Sequence, residues 1–172
     1  VDQMLEQLKE LNITPIVLSG DRDEKVQKLT QSLGIKKYHS SLLPEEKYKI
    51  ISDQNVNKPT VMVGDGINDA PALQRASVGI SFNDSSALAQ ANADVILTFD
   101  NRKYLAKTML AARMIMSTIQ QNLFWAFIYN IVAIPMAAMG YLSPMIAAMS
   151  MAFSDIVVIG NSLLLRKKIT VD

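Results

Sequence analysis

The stretch VMVGDGINDAPAL, residues 61–73, runs from an apolar segment into a loop rich in glycine and acidic side chains. Short apolar runs that end at a Gly-Asp-Gly turn are typical of buried strands followed by a polar loop. Residues 60–63 are therefore predicted to form a strand. Asp65, Asn68 and Asp69 then follow one another at the carboxyl end of that strand.

Similar apolar runs alternate with helical patterns along the first part of the chain. Further strands are predicted at residues 15–18, 78–80 and 95–97, and helices at residues 4–11, 23–33 and 44–51. In the helix over residues 23–33, Val26, Leu29 and Leu33 are expected to face the core. This alternation predicts a parallel sheet with helices on both faces.

Ligand sites in such sheets form at the carboxyl ends of the strands, where Ser19, Asp21, Asp65 and Asp69 are all expected to lie. Carboxylates on glycine loops suit Mg²⁺, which takes oxygen ligands. Together with Lys47, a point charge able to contact a phosphate, they predict a phosphoryl-transfer site. The sequence offers no evident nucleophile and no nucleotide-binding loop.

Charge divides the chain into two parts. Of the 17 Lys and Arg residues, 14 lie at or before Arg113, and so do 14 of the 16 Asp and Glu residues. This balance gives no basic footprint for nucleic acid. The chain has no cysteine, which excludes disulfides and cysteine metal sites. Because it opens on Val1 and lacks a signal-peptide pattern, we expect it to be part of a longer protein.

Residues 114–154 form a tract of 41 residues without any charged side chain. A membrane span needs about 20 apolar residues, so two spans are predicted, at residues 121–139 and 144–165, with a Gly-Pro turn between them. Basic residues flank both ends of the tract, which predicts that residues 1–113 and the C-terminus are cytoplasmic. The alternative is a helical hairpin buried in a soluble core. The predicted divisions are residues 1–101, 102–120, 121–166 and 167–172.

Three sequence motifs together resemble a known family. VMVGDGINDAPAL resembles the hinge signature of P-type ATPases, ion pumps built on the haloacid-dehalogenase-like fold. Leu18-Ser19-Gly20-Asp21 resembles the family's Thr-Gly-Asp loop, with serine for threonine. Pro44-Glu45-Glu46-Lys47 resembles its Pro-x-x-Lys element. The resemblance implies a partial α/β haloacid-dehalogenase-like, Rossmann-like phosphorylation domain followed by a transmembrane hairpin.

The resemblance also implies roles for these residues, with Mg²⁺ and ATP as cofactors. Asp65 would bind Mg²⁺, and Asn68 and Asp69 would organise the phosphate site. Lys47 and Ser19 would hold the phosphoryl oxygens. The remaining implied site residues are Asp21, Gly20, Gly64 and Gly66. The family's nucleophile belongs to an Asp-Lys-Thr-Gly motif that does not occur in these 172 residues and would lie upstream.

The membrane tract resembles that of heavy-metal pumps, in which two spans follow the catalytic part. Tyr129 and Asn130 resemble a Tyr-Asn pair of copper pumps, and Met151 and Ser154 resemble the start of their Met-x-x-Ser-Ser motif. A thioether is a soft ligand that selects Cu(I). Asp155 departs from the pattern by standing where copper pumps have a second serine.

The implied partners are the transported ion, favoured as Cu(I), a copper chaperone and the lipid of the cell membrane, with export from the cytoplasm. A zinc, cobalt or other divalent pump remains the alternative. Two other classes stay open. A membrane-tethered phosphatase of the same superfamily would need its own nucleophilic aspartate. A non-catalytic membrane protein would not need Asp65 and Asp69.

Overall fold

The computed structural model describes residues 2–98, 104–141 and 143–171. Within the helices it leaves out the side chains of Tyr129, Pro144, Ile146, Ala147, Ser150 and residues 167–171. The chain divides into two compact units, residues 1–107 and 108–172. The first unit is α/β and the second is helical.

Among its described residues, the first unit contains five strands and the helices that connect them. The order is α1 (Asp2–Glu10), β1 (Ile16–Leu18), α2 (Asp23–Ser32), β2 (Lys37–His39), α3 (Pro44–Asn57), β3 (Val61–Val63), a 3₁₀ turn (Ile67–Asp69), α4 (Ala70–Arg75), β4 (Val78–Phe82), α5 (Ala87–Ala91) and β5 (Val95–Leu97). The four predicted strands are confirmed, and β2 is an additional one. The predicted α/β parallel architecture is confirmed.

The five strands form two hydrogen-bonded sheets. β1 pairs with β2, and β4 lies between β3 and β5, with all pairings parallel. Ile16 aligns with Lys37, Val61 with Val78 and Ile80 with Val95. Each pairing therefore joins two strands that follow one another along the chain and are connected by one short crossover.

Helices cover both faces of the three-stranded sheet, as the sequence predicts. Alternate strand residues point to opposite faces. Met62 packs with Ile51, Leu73 and Ala89 from α3, α4 and α5. On the opposite face, residues of all three strands pack with α1 and the start of the next helix, namely Val63, Val78, Ile80, Phe82, Val95, Leu97, Met4 and Leu105.

Gly79 in β4 lets α4 approach the sheet closely. A Cβ atom at this position would lie 2.7 Å from the carbonyl oxygen of Leu73 in α4. Leu73 is fully buried. Only glycine fits between the two backbones here, and this close contact fixes α4 against β4.

One predicted core position in α2 is wrong. Val26 is buried and Leu33 is half-buried, but Leu29 is 53% exposed. Thr30 is buried instead, because it lies one full turn after Val26 on the same face. Its hydroxyl donates to the Val26 carbonyl oxygen at 2.9 Å, so burial leaves the hydroxyl paired.

The second unit consists largely of two long helices, α6 (Tyr104–Ala138) and α7 (Pro144–Val171). Among the described residues, α6 is the one helix long and apolar enough to cross a membrane. It runs without interruption through residue 121, where the sequence suggested a division between a linking helix and a span. The second span, at residues 144–165, stays a prediction, as do the division boundaries. The proposed tail at residues 167–172 falls largely outside the described side chains.

Candidate functional site

The carboxyl ends of β1 and β3 meet the first turn of α3 at an open cleft of about 310 Å³. Seven of the site residues predicted on this side of the molecule line it: Ser19, Gly20, Asp21, Lys47, Gly66, Asn68 and Asp69. Gly64 and Asp65 are not among its lining residues. The cleft thus unites three sequence segments that lie far apart along the chain.

Lys47 reaches the cleft because of how α3 begins. Pro44 occupies the first helical turn, where its missing N–H costs no hydrogen bond. The Glu46 carboxylate accepts a hydrogen bond from the Leu43 N–H at 2.7 Å and so caps the helix. This start places Lys47 one turn into the helix, with its side chain directed into the cleft.

A mostly buried ion pair joins Lys47 to the acidic loop. The Lys47 Nζ atom lies 2.8 Å from Asp69 Oδ1, and the two side chains are only 12% and 14% exposed. The other Asp69 oxygen accepts from the Gly66 N–H at 3.4 Å. A charge pair shielded from water is held more firmly than a surface pair, because solvent does not screen it. Lys47 and Asp69 are therefore held in fixed positions.

Gly64 leaves room for Asp69. A Cβ atom on Gly64 would lie 2.7 Å from the Cβ atom of Asp69, which is closer than real side chains approach. A Cβ atom on Gly66 would meet Asp69 Oδ2 at 3.4 Å and the Asn68 backbone nitrogen at 3.9 Å, which are ordinary contacts. The first glycine of the Gly-Asp-Gly loop is thus a steric requirement for the position of Asp69.

The β1 loop presents Ser19 and Asp21 on the opposite wall. The Ser19 Oγ atom accepts from the Asp21 N–H at 3.1 Å. The loop backbone is closed by Leu42 N–H donating to the Ser19 carbonyl oxygen at 3.0 Å and Ser41 N–H donating to that of Asp21 at 2.8 Å. The Asp21 carboxylate turns outward to Lys25, 2.9 Å away on an exposed face. The backbone of Asp21, more than the charge of its carboxylate, therefore shapes the cleft.

Asp65 and Asn68 are both exposed at the end of β3. The Asp65 carbonyl oxygen accepts from the Ser86 N–H at 3.1 Å, which ties the loop to the start of α5. Leu42 and Pro44 line the cleft but are absent from the predicted site. Pro44 was recognisable as a helix start. Leu42 gave no signal, because an apolar side chain in a loop indicates no chemistry.

The donors in the β3 loop suit Mg²⁺. Among the described residues no group of three or more His, Cys, Asp or Glu side chains could hold a metal ion. Mg²⁺ does not require such a group, because it is commonly bound through one or two carboxylates, water and substrate phosphate. Both oxygens of Asp69 are engaged, by Lys47 and by the Gly66 N–H. Asp65 is exposed on the same loop and provides one carboxylate of the kind that Mg²⁺ needs.

The residues predicted to bind the transported metal lie on α6 and α7. Asn130, Met151 and Asp155 are exposed, and Ser154 is half-buried. The Asn130 Nδ2 atom donates to the Ala126 carbonyl oxygen at 2.9 Å, within its own helix. The side chain of Tyr129 lies outside the described residues. Among the described ones, no hydrogen bond joins Asn130 to Ser154 or Asp155.

Comparison with known proteins gives consistent results over nearly the whole chain. A copper-exporting P-type ATPase of Staphylococcus saprophyticus is 41% identical over 95% of this chain. A probable copper-importing P-type ATPase A of Enterococcus hirae is also 41% identical, over 96%. This similarity identifies the chain as part of a P-type ATPase. The chain spans about a fifth of the length of these relatives, 21% and 23%.

Solved structures agree with this P-type ATPase assignment. A zinc-transporting PIB-type ATPase in its E2.Pi state matches 95% of the chain, and 27% of its own chain is covered, with a TM-score of 0.89 at 29% identity. The catalytic domain of the CPx-ATPase CopB-B matches 60% of the chain, with 42% of that domain covered, a TM-score of 0.57 and 36% identity. The model of haloacid dehalogenase-like hydrolases matches residues 1–77. The predicted haloacid-dehalogenase-like fold of the first unit is thereby confirmed.

Proposed function

We propose that this P-type ATPase chain is part of an ATP-driven pump that exports Cu(I) from the cytoplasm through an aspartyl-phosphate cycle. The observation that carries the proposal is the cleft in which the Lys47–Asp69 pair faces the Ser19 loop at the carboxyl ends of β1 and β3. A fixed cation, a hydroxyl and carboxylates suited to Mg²⁺ form a site for phosphoryl transfer.

Each cleft residue has a distinct part in this proposal. The Lys47 ammonium group donates hydrogen bonds to phosphoryl oxygens and offsets their charge. Ser19 contributes its hydroxyl, and the Gly20 and Gly66 backbones allow close approach of the phosphate. Asp65 would hold Mg²⁺, which supplies charge neutralisation when it is bound, and Asp69 would organise the phosphate site through its pair with Lys47. Asn68 lines the cleft beside them and completes the oxygen-rich wall.

Met151 supports Cu(I) as the transported ion. Its thioether is a soft ligand on a helix that the sequence predicts to span the membrane. Tyr129, Asn130 and Ser154 add side-chain oxygen donors on the two neighbouring helices. In this arrangement the pump would lie in the cell membrane, with residues 1–113 and the C-terminus in the cytoplasm. A copper chaperone would deliver its ion.

A pump for a divalent metal such as zinc or cobalt is the second candidate. Asp155 is a hard, charged ligand where the copper pattern has serine, and charged groups within spans mark ion sites. The structural match to a zinc-transporting ATPase also favours this candidate.

The deciding experiment measures ATP hydrolysis by the full-length protein in lipid while Cu(I), Zn²⁺, Co²⁺ and Mn²⁺ are added in turn. We expect stimulation by Cu(I), lost in Met151→Ala because the soft ligand is removed. Met149→Ala is the matched control, since Met149 is an exposed methionine of the same helix with no proposed role.

Other outcomes would lead to a different conclusion. Stimulation by a divalent ion that is lost in Asp155→Ala would replace Cu(I) by the divalent candidate. Hydrolysis that no metal stimulates would reject the pump and favour a membrane-tethered phosphatase. Metal uptake into inside-out vesicles, measured alongside, tests the direction of transport.

A further inference from the structure

Four polar side chains connect the two long helices of the second unit. The Asn161 Nδ2 atom on α7 donates to Asn122 Oδ1 at 2.9 Å and to Gln121 Oε1 at 3.2 Å, both on α6. The Asn122 Nδ2 atom in turn donates to Ser162 Oγ at 3.1 Å. We call Gln121, Asn122, Asn161 and Ser162 the amide cluster. None of them belongs to the proposed metal site.

The hydrogen bonds of the amide cluster depend on the direction between donor and acceptor, whereas contacts between apolar side chains and lipid do not. Apolar side chains gain little from one helix register over another in lipid, because lipid tails are as apolar as leucine. An interhelical hydrogen bond in lipid shifts the equilibrium between two helix alignments about three- to tenfold. A slide of one residue moves a helix by about 1.5 Å, which is enough to break bonds of this length. The cluster therefore selects one alignment of α6 against α7.

That alignment also sets the height of the metal-site residues of one helix relative to those of the other, measured along the helix axes. Seven residues correspond to nearly two full helical turns, so a step of seven returns to almost the same face. Such a step from Asn161 leads to Ser154, and one from Ser162 leads to Asp155. Both Asn161 and Ser154 are half-buried, as expected for one shared face.

The same step along α6 leads from Asn122 to Tyr129, next to Asn130. Because the two helices run in opposite directions along the hydrogen-bonded pair, these steps proceed toward the same end of the hairpin. The register therefore places position 129 level with Ser154 and Asp155. Met151 follows about one turn beyond Ser154.

We propose that the amide cluster is a positioning device that fixes the register of α6 against α7 and so sets the spacing of the donors for the transported metal. This inference rests on the proposed pump function. The cluster touches neither the metal nor the phosphate. It acts through the alignment of the metal donors, so its removal alters metal affinity and leaves the phosphoryl-transfer cleft intact.

The test uses the full-length pump in lipid and the metal that stimulates the wild-type protein most strongly. The metal concentration giving half-maximal stimulation of ATP hydrolysis is measured together with the maximal rate. Asn161→Leu keeps the approximate size but removes every donor and acceptor. We expect it to raise the half-stimulating concentration about fivefold or more, with the maximal rate unchanged.

Three further variants sharpen the test. Ser162→Ala removes a single acceptor and should give a smaller rise of the same kind, which keeps the test usable if Asn161→Leu is not recovered. Adding Asn122→Leu to Asn161→Leu should cost less than the sum of the two single changes, because both remove the shared bond between Asn161 and Asn122. Gln120→Leu is the matched control, since Gln120 is an exposed neighbour that bonds to no α7 side chain among the described residues.

Unchanged half-stimulating concentrations in both Asn161→Leu and Ser162→Ala would overturn the inference while leaving the pump intact. So would an equal rise in Gln120→Leu, which would indicate a general effect of apolar substitution. A fall of the maximal rate alone would also overturn it, because a register change acts on binding. A wild-type protein that no metal stimulates would overturn the proposed function and this inference together.

Discussion

The Lys47–Asp69 ion pair shows how much of the cleft depends on single side chains. Sequence patterns identified both residues, because a lysine early in a helix and an aspartate after a strand are recognisable positions. Their 2.8 Å contact could not be predicted, since it depends on how α3 packs beside the β3 loop. The sequence also does not predict that the Asp21 carboxylate turns outward to Lys25, because the direction of this side chain depends on which nearby group it pairs with.

At this scale we expect Lys47→Met in the full-length protein to lower metal-stimulated ATP hydrolysis by about a hundredfold, because a fixed charge at the phosphate is lost. Asp69→Asn should have a comparable effect. The measurement is phosphate release at saturating ATP. Lys49→Met is the control, as Lys49 is exposed on the same helix two residues further on. Near-normal activity of Lys47→Met would remove this lysine from the site.

The elements differ in how well the sequence predicts them. β1, β3, β4 and β5 were predictable because each contains an apolar run ending at a turn. β2, Lys-Tyr-His, has no such run and forms only because β1 provides a parallel partner. In α6 the sequence indicated a change of environment near residue 121, but neither glycine nor proline interrupts the helix there. The helix therefore continues where its charge pattern changes.

This continuity gives a prediction about α6, whose 35 residues extend about 52 Å. Replacing Ala112 and Met116 together by glycine should reduce metal transport per ATP hydrolysed, because each glycine costs a helix about 1 kcal/mol and creates a flexible point. Both positions are exposed, so the change removes little packing. The measurement compares metal uptake into vesicles with phosphate release.

The control for this pair is Ala112→Leu with Met116→Leu, which keeps strong helix formers at the same positions. Equal transport per ATP in the glycine and leucine pairs would show that the rigidity of this part of α6 does not matter for coupling.

At the scale of the whole molecule, the alternation of strands and helices predicts the parallel α/β architecture. It does not predict the division of the five strands into two sheets, because whether the consecutive strands β2 and β3 pair depends on long-range packing. The sequence also lacks an Asp-Lys-Thr-Gly motif. Among the described residues, the cleft therefore contains groups suited to binding a phosphoryl group, as proposed above, but no evident nucleophile.

We accordingly expect the isolated 172-residue chain to show no metal-stimulated ATP hydrolysis, even with Mg²⁺ present. Phosphate release is compared with that of the full-length pump in the same lipid, and circular dichroism confirms that the chain is helical. Turnover above background would mean that this chain carries a nucleophile of its own, which would contradict the proposed aspartyl-phosphate cycle.

The short crossovers between paired strands have a consequence for the order of folding. Paired residues such as Val61 and Val78 or Ile80 and Val95 lie close in sequence, so each sheet closes only small loops and is expected to form early during synthesis. The cleft is different, because it unites Ser19 with the distant Asp69. It is complete only when both sheets have come together, so we expect a nascent chain to form the proposed phosphate-binding cleft last.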